Sequence, residues 1–390
     1  MGSEFESSTE NEALREAIVA RSADEGGLTF REFMAMALYH PHLGYYSSWR
    51  AQMGRDGDYL TSPEVSPIFG ALVGRQLKEM WEALRRPSVF QVAEAGAGTG
   101  ALCRDLLRWA RRAAPDFLQA VGYTIVEVSE ALAQRQRMTV ETDPEIAQRI
   151  RWAEALPSGL EGCIVSNELL DSMPVHRVAV EEGRLREVFV TWDGRRFAEE
   201  LRPPSTPEIE TYFQRLGLLP GKGCRAEVNL EAFKWIRQAA GALRRGFVLT
   251  MDYGYEAPDL FAPWRGDGTL TCFYRHSFNS DPYARLGRQD MTSHVDFTSV
   301  RWAAEEAGLA TLGIVSQAEF LTNLGIADAL SGPKEGETSL EEHYARRRAA
   351  LELLDPAALG RIRILVQTKG IEAPRLTGLG GGIGDDTAGR

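Results

Sequence analysis

The chain is short of several features that would mark its chemistry. Its four cysteines, Cys103, Cys163, Cys224 and Cys272, stand apart without a C-x-x-C pair, so their spacing defines neither a zinc site nor a disulfide framework. Histidine is scarce, and His40 and His42 around Pro41 have no second ligand cluster, so no metal is expected. No run approaches the ~18 apolar residues of a membrane helix. The N-terminus, MGSEFESSTENEALREA, has neither an apolar signal core nor an Arg-rich transit pattern. The expectation drawn is a cytoplasmic protein with reduced thiols and no membrane partner. Positive charge is short as well. With 44 basic against 55 acidic side chains the net charge is −11, which argues against nucleic acid as a partner and suits a cationic substrate.

What is present is an ordinary globular composition, 44% apolar and 25% charged, in 390 residues. That length exceeds one usual domain. Near residue 90 an apolar strand runs into Glu94, then Gly96, Gly98 and Gly100 at alternate positions, then a helical pattern. Glycines permit a tight turn and bring a ligand against bare backbone, and the helix offers free N–H groups. This is a nucleotide-cofactor loop of a doubly wound α/β fold. GAGTGA satisfies the dinucleotide fingerprint through Ala101, so an NAD-dependent oxidoreductase stays open at this point.

Strands are expected at 89–93, 122–128, 162–165, 247–252 and 361–367, alternating with helices at 68–84, 101–112 and 131–137. Thr29 followed by Glu32 reads as a capping box. The rhythm predicts an α/β doubly wound sheet with an N-terminal helical lobe over residues 1–86. A Rossmann-like domain follows over 87–372, interrupted by insertions near 178–235 and 256–297 that form a substrate lobe. The Gly-rich end, 373–390, is expected to be a disordered tail. Glu127 closes the second strand, followed by Val128, where an acid can accept both ribose hydroxyls. In CIVSNELLDSMPVHRV, Asn167 and Glu168 fall at a strand's C-terminal end, where open sheets bind ligands, and Asp171 follows. Two carboxylates so close can grip a guanidinium, or one can cap a helix.

Several segments in order resemble the MidA-like family of S-adenosylmethionine-dependent methyltransferases, which includes a mitochondrial complex I assembly factor that methylates arginine. They are HPHLGYYSS at 40–48, GDYLTSPEVSPIFG at 57–70, EAGAGTG at 94–100, SNELLDSMPVHR at 166–177, MDYGY at 251–255, GTLTCFYRH at 268–276 and QDMTSHVDF at 289–297. The resemblance implies the class I methyltransferase variant of the Rossmann-like fold, with S-adenosyl-L-methionine as cofactor and S-adenosyl-L-homocysteine as product. It implies cofactor contacts from Glu94, Gly96, Gly98, Gly100, Glu127, Val128 and Asn167, with Thr61, Ser62, Pro63 and Glu64 closing over them. Glu168, Asp171 and His294 are the implied catalytic side chains. Tyr45, Tyr46, Asp252, Tyr253 and Asp296 are the implied substrate walls. Ser172 departs from the family, where a small residue such as Ala is usual.

The leading expectation is N-methylation of an arginine guanidinium, in a protein or in a small guanidino compound, with a homodimer left open. The alternatives are O- or N-methylation of a small biosynthetic substrate, and a non-catalytic assembly factor that keeps the fold.

Overall fold

The computed structural model describes residues 11–47, 57–58, 60–331 and 339–381. Strands are numbered along the chain. Seven of them form the central sheet in the spatial order β4 (Ile150–Ala153), β3 (Val121–Val126), β2 (Phe90–Ala95), β5 (Leu160–Asn167), β10 (Leu243–Asp252), β17 (Arg363–Lys369) and β16 (Ala310–Ser316). β2, β5 and β10 are buried along nearly their whole length, as expected of parallel strands covered on both faces. Pairing is parallel from β4 to β10, whereas β17 lies antiparallel to both its neighbours. Counted within the sheet the order is 3-2-1-4-5-7-6. An antiparallel last strand between the fifth and sixth separates it from the dinucleotide-binding order 3-2-1-4-5-6.

The strands expected from sequence are all present, within a few residues. β4 and β16, the two edges, were not anticipated. β16 has no fully buried position and carries Gly313, so its pattern gives no two-faced signal.

The N-terminal segment divides between two bodies instead of forming a lobe of its own. α1 (Glu12–Glu25) and α2 (Phe30–Tyr39), the latter opened by the Thr29–Glu32 capping box, pack on an antiparallel sheet. That sheet is built from β1 (Leu28–Thr29), β6 (His176–Glu181), β7 (Arg184–Trp192), β8 (Phe197–Arg202) and β9 (Arg225–Val228). Phe30, Phe33, Met34, Val188, Val190, Cys272 and Met291 share one core there. This joins the N-terminal helices to both insertions, including the small sheet of β12 (Thr271–Tyr274), β13 (Ser277–Asn279) and β14 (Asp290–Thr292). β11 (Gly254–Tyr255) and β15 (Val295–Asp296) pair at the sheet's carboxyl edge.

α3 (Ser62–Val65) and α4 (Pro67–Ala83) belong to the central sheet's own layer. Gly70 and Gly74 let α4 lie close against α5 (Ala101–Ala113): a Cβ on Gly70 would come within 2.8 Å of the Asp105 Cβ, and one on Gly74 within 2.5 Å of the Trp109 ring. The expected disordered tail is ordered where it is described. Leu376 is buried, Thr377 N donates to the Glu79 carboxylate, and Gly378 N donates to Gln76 Oε1. Polar groups on α4 thus hold a glycine-rich segment that composition alone assigns to solvent. Residues beyond 381 lie outside the described part.

Candidate active site

A cavity of about 1270 Å³ opens at the carboxyl ends of β2, β3 and β5, under α3. Its volume exceeds the ~300–1,000 Å³ of pockets that hold one drug-sized ligand, leaving room for a second reactant. On one side is the glycine loop. Gly96, Gly98 and Gly100 all have left-handed φ, 66°, 53° and 81°, which glycine adopts without the Cβ penalty. Glu94 lies beneath the loop and is buried; the Tyr123 hydroxyl donates to its Oε2 at 2.7 Å. Burial pushes the Glu94 carboxyl up to about 7, with the Tyr123 bond opposing.

Glu127 follows β3 at the cavity wall, beside exposed Val128. Its carboxylate accepts from Ser129 N at 2.9 Å and from Gln136 Nε2 at 2.9 Å, and burial raises its pKa. The same Gln136 nitrogen donates to Gly98 O at 3.2 Å, while Gln136 Oε1 accepts from Trp152 Nε1 at 3.1 Å. One buried amide therefore ties the acid of one strand end to the glycine loop of the next.

From above, Thr61, Pro63 and Glu64 reach the cavity. Glu64 closes a capping box with Thr61, its Oε2 accepting from Thr61 N and Oγ1. Ser62 is turned away: its hydroxyl donates to Gln317 Oε1 at 2.9 Å, and its backbone N–H points at Glu168 Oε1 at 3.4 Å.

On the other side β5 ends at Asn167 and Glu168 follows it, both at the cavity. Asn167 Nδ2 donates to Glu168 Oε1 at 3.0 Å, and Asn167 Oδ1 is buried without a donor. Glu168 has φ 49°, a left-handed conformation uncommon for a residue with a side chain. Burial pushes its carboxyl up to about 8, helped by the nearby charges of Asp252 and Glu64. Tyr39 completes this wall, its hydroxyl donating to Ser172 O at 3.1 Å, with its ring 5.3 Å from that of Tyr46.

The expected site residues therefore separate. Tyr46, Thr61, Pro63, Glu64, Glu94, Gly96, Gly98, Glu127, Val128, Asn167 and Glu168 line one cavity; the others do not. Asp171 is buried behind Glu168 with Oδ1 lacking a partner, and desolvation raises its pKa strongly. Gly100 opens α5 at its N-cap. Tyr45 is turned into the lobe core, donating to Asp58 Oδ2 at 2.8 Å. The substrate role expected of Asp296 is corrected: its carboxylate caps helix Phe297–Glu306 at Thr298 N and accepts from the Tyr212 hydroxyl at 2.7 Å. The catalytic role expected of His294 is corrected too. Its ring lies off the cavity between Tyr253 and Tyr255, with centroids 6.4 and 5.3 Å away. Burial together with Arg361 and Arg265 pushes it down to about 4. Tyr253 carries the Arg361 guanidinium over its ring and lies outside the cavity. Asp252 bonds backbone alone, as described below.

Tyr123, Gln136 and Tyr39 were missed. Tyr123 lies on the buried face of an alternating strand, a pattern visible in VGYTIV. Gln136 has no local signal, because its partners are 9 and 38 residues away.

The family described as "Putative S-adenosyl-L-methionine-dependent methyltransferase" matches residues 72–315. The chain belongs to this family. It is an S-adenosyl-L-methionine-dependent methyltransferase. A protein from Burkholderia thailandensis, solved bound to S-adenosyl-homocysteine, is 33% identical, covers 94% of each chain and superposes with a TM-score of 0.86. The mitochondrial protein arginine methyltransferase NDUFAF7 homolog of Drosophila melanogaster is 31% identical over 93% of this chain and 86% of its own. The Homo sapiens mitochondrial protein arginine methyltransferase NDUFAF7 is 29% identical over 77% of this chain and 70% of its own.

The expected cytoplasmic location is overturned by these curated relatives, which are mitochondrial proteins; an unremarkable N-terminal pattern was too weak a basis for it. The residues present suit the cofactor: Glu127 would offer a carboxylate to its diol, and the glycine loop leaves space for a ligand against backbone. Among the described residues no cluster of His, Cys, Asp and Glu could hold a metal ion, and no helix is long and apolar enough to cross a membrane.

Proposed function

We propose that this methyltransferase acts on the guanidinium of an arginine in a protein. The observation that carries the reading is the charge of the cavity wall. It presents Glu64, Glu94, Glu127, Glu130, Glu154 and Glu168 and, among the described residues, no lysine or arginine. Glu94 and Glu127 belong to the glycine-loop side, whereas Glu168 stands with the donorless Asn167 Oδ1 at the end of β5, the pair assigned to the acceptor. A guanidinium is a permanent cation with five N–H donors in a planar fork, which matches that acceptor set. The naming of several relatives as protein arginine methyltransferases supports the same reading.

The bound cofactor supplies an electrophilic methyl group. The chain has to desolvate, aim and deprotonate a poor nucleophile. Glu168, with its carboxyl pushed up to about 8, holds a proton at neutral pH until a cation arrives. An incoming guanidinium favours the charged form, so acceptor binding displaces that proton. The resulting carboxylate fixes the nitrogens, and a pKa near the working pH suits it to take up the proton the reacting nitrogen loses. Tyr39 and Tyr46 give the flat wall along which such a plane packs.

The test supplies methyl-labelled S-adenosyl-L-methionine with lysate protein and with free L-arginine as separate acceptors, then hydrolyses the products. Label in methylarginine from protein is the expected result. Label confined to small guanidino molecules, or found on lysine, overturns the reading.

A further inference from the structure

The Glu168 turn is held from below. Glu168 N donates to Met251 O at 2.8 Å. Leu169 N and Leu170 N both donate to Asp252 Oδ2, at 3.1 and 2.8 Å, and Tyr253 N donates to Asp252 Oδ1 at 2.8 Å. Parallel pairing of β5 with β10 puts Met251 opposite Asn167, and so delivers Asp252 to this turn. Successive N–H groups beside a left-handed residue form a concave anion site, and here the chain fills it with its own carboxylate. Asp252 is fully buried and off the cavity wall, so it touches no acceptor.

We infer that Asp252 is a positioning residue, whose carboxylate locks the Leu169–Leu170 backbone and thereby holds Glu168 in its left-handed conformation facing the acceptor. The inference rests on the reading of Glu168 as the acceptor-binding acid. Three N–H donors on two oxygens require a carboxylate. An amide at this place turns an NH2 toward at least one N–H and leaves a buried donor unpaired.

Asp252 also acts through its charge. The titratable groups around Glu168 are Asp252, Glu64, Asp171 and Tyr253, with Asn167 and Ser62 N as neutral partners. Burial is the main cause of the raised Glu168 pKa, and the Asp252 charge adds to it. Neutralising Asp252 therefore moves Glu168 ionisation to lower pH.

The experiment compares Asp252→Asn with wild type and with Asp296→Asn, a buried helix cap off the cavity wall. Methyl transfer to lysate protein is measured from pH 6 to 10, and S-adenosyl-homocysteine affinity by calorimetry. For Asp252→Asn, kcat is expected to fall about 10- to 100-fold, the scale of a misaimed catalytic group. Affinity stays within about twofold of wild type. The alkaline rise in rate shifts to lower pH, whereas Asp296→Asn leaves the midpoint unmoved. An unshifted midpoint in Asp252→Asn overturns the inference. A crystal structure of Asp252→Asn with S-adenosyl-homocysteine gives a readout independent of activity: Glu168 should leave the left-handed region, and a φ still near 49° overturns the inference. If Asp252→Asn does not fold, Asp252→Glu, which keeps the charge but displaces both oxygens by a methylene, tests the positioning alone: kcat should fall and Glu168 should leave the left-handed region with the midpoint unmoved, and a φ still near 49° overturns the inference. Transfer to an acceptor other than arginine would refute the guanidinium reading alone, because the pH and φ comparisons would still report on Asp252.

Discussion

The two sides of the cavity are built on opposite principles. On the glycine-loop side Glu94 and Glu127 already have donors: Glu94 has the Tyr123 hydroxyl, and Glu127 has Ser129 N and Gln136. On the β5 side acceptors outnumber donors. Asn167 Oδ1 and Asp171 Oδ1 are buried and unpaired, and Glu168 stands on a left-handed backbone. A satisfied network is rigid and ready for a ligand that brings little change. An acceptor-rich, partly unsatisfied edge pays off only when a donor-rich cation completes it. On the proposed reading, the cofactor half is preorganised and the acceptor half is completed by its substrate.

The contrast is broken most severely where the halves touch. A Cβ on Gly96 would lie 2.8 Å from Leu169 Cδ1, in the residue after Glu168, and Gly96 has φ 66°. Gly96→Val puts a β-branched side chain in a conformation that costs roughly 1–3 kcal/mol and drives it into the acceptor turn. Cofactor affinity is expected to fall about 100-fold or more and turnover to be lost. Calorimetry showing a Kd near wild type would remove the loop from the site.

Glu168→Gln should separate the halves. Turnover drops about 100- to 1,000-fold, within the usual range for a general acid or base, while S-adenosyl-homocysteine affinity stays within about twofold. Steady-state rates together with a binding isotherm check it, and unchanged turnover would return Glu168 to a structural role.

Gln136→Leu is the converse and smaller. It takes the donor from Gly98 O and from Glu127 at once. Leaving buried acceptors unpaired costs about 1–3 kcal/mol, so the cofactor Kd should rise roughly tenfold with the acceptor KM unmoved. An acceptor KM that rises equally would mean the halves are not independent.

How much of this was legible in the sequence follows from how local each signal is. The strand, glycines and helix at 90–113 are contiguous, and the fold puts Glu94 and the loop at the cavity wall. Asn167 and Glu168 were found the same way, as the end of a buried apolar run. Asp252 also ends such a run, so sequence pattern treats it like Glu168; only the fold shows that one carboxylate faces the cavity and the other faces backbone N–H groups. Asp296 carried a readable N-cap signal, an acid directly before a helical run, which the functional reading overrode. The division of the N-terminal segment could not be read locally, because α1 and α2 find their apolar partners in strands more than a hundred residues away.

The smallest effect lies in stability against pH, where the two halves should titrate apart. Burial raises Glu94 from 4.5 to about 7 and Glu168 from 4.5 to about 8. For an acid whose folded pKa is raised, the folded state binds the proton more tightly. Its contribution is thus fully present below the unfolded value and is lost as pH climbs through the folded one. The free protein should therefore lose stability between about pH 5 and 8. Glu94→Gln should remove the part of that loss which ends near pH 7, and Glu168→Gln the part which continues to about 8. Melting curves at one-unit intervals from pH 5 to 9 distinguish them. Relative to wild type, the Glu168→Gln Tm should still be gaining between pH 7 and 8, where the Glu94→Gln difference has levelled off. Saturating S-adenosyl-homocysteine should leave the Glu168 limb in place, because that ligand fills the other half. A Glu168→Gln curve parallel to wild type from pH 7 to 9 would mean that Glu168 is already ionised before any acceptor arrives, and that the acceptor half is as prepared as its neighbour.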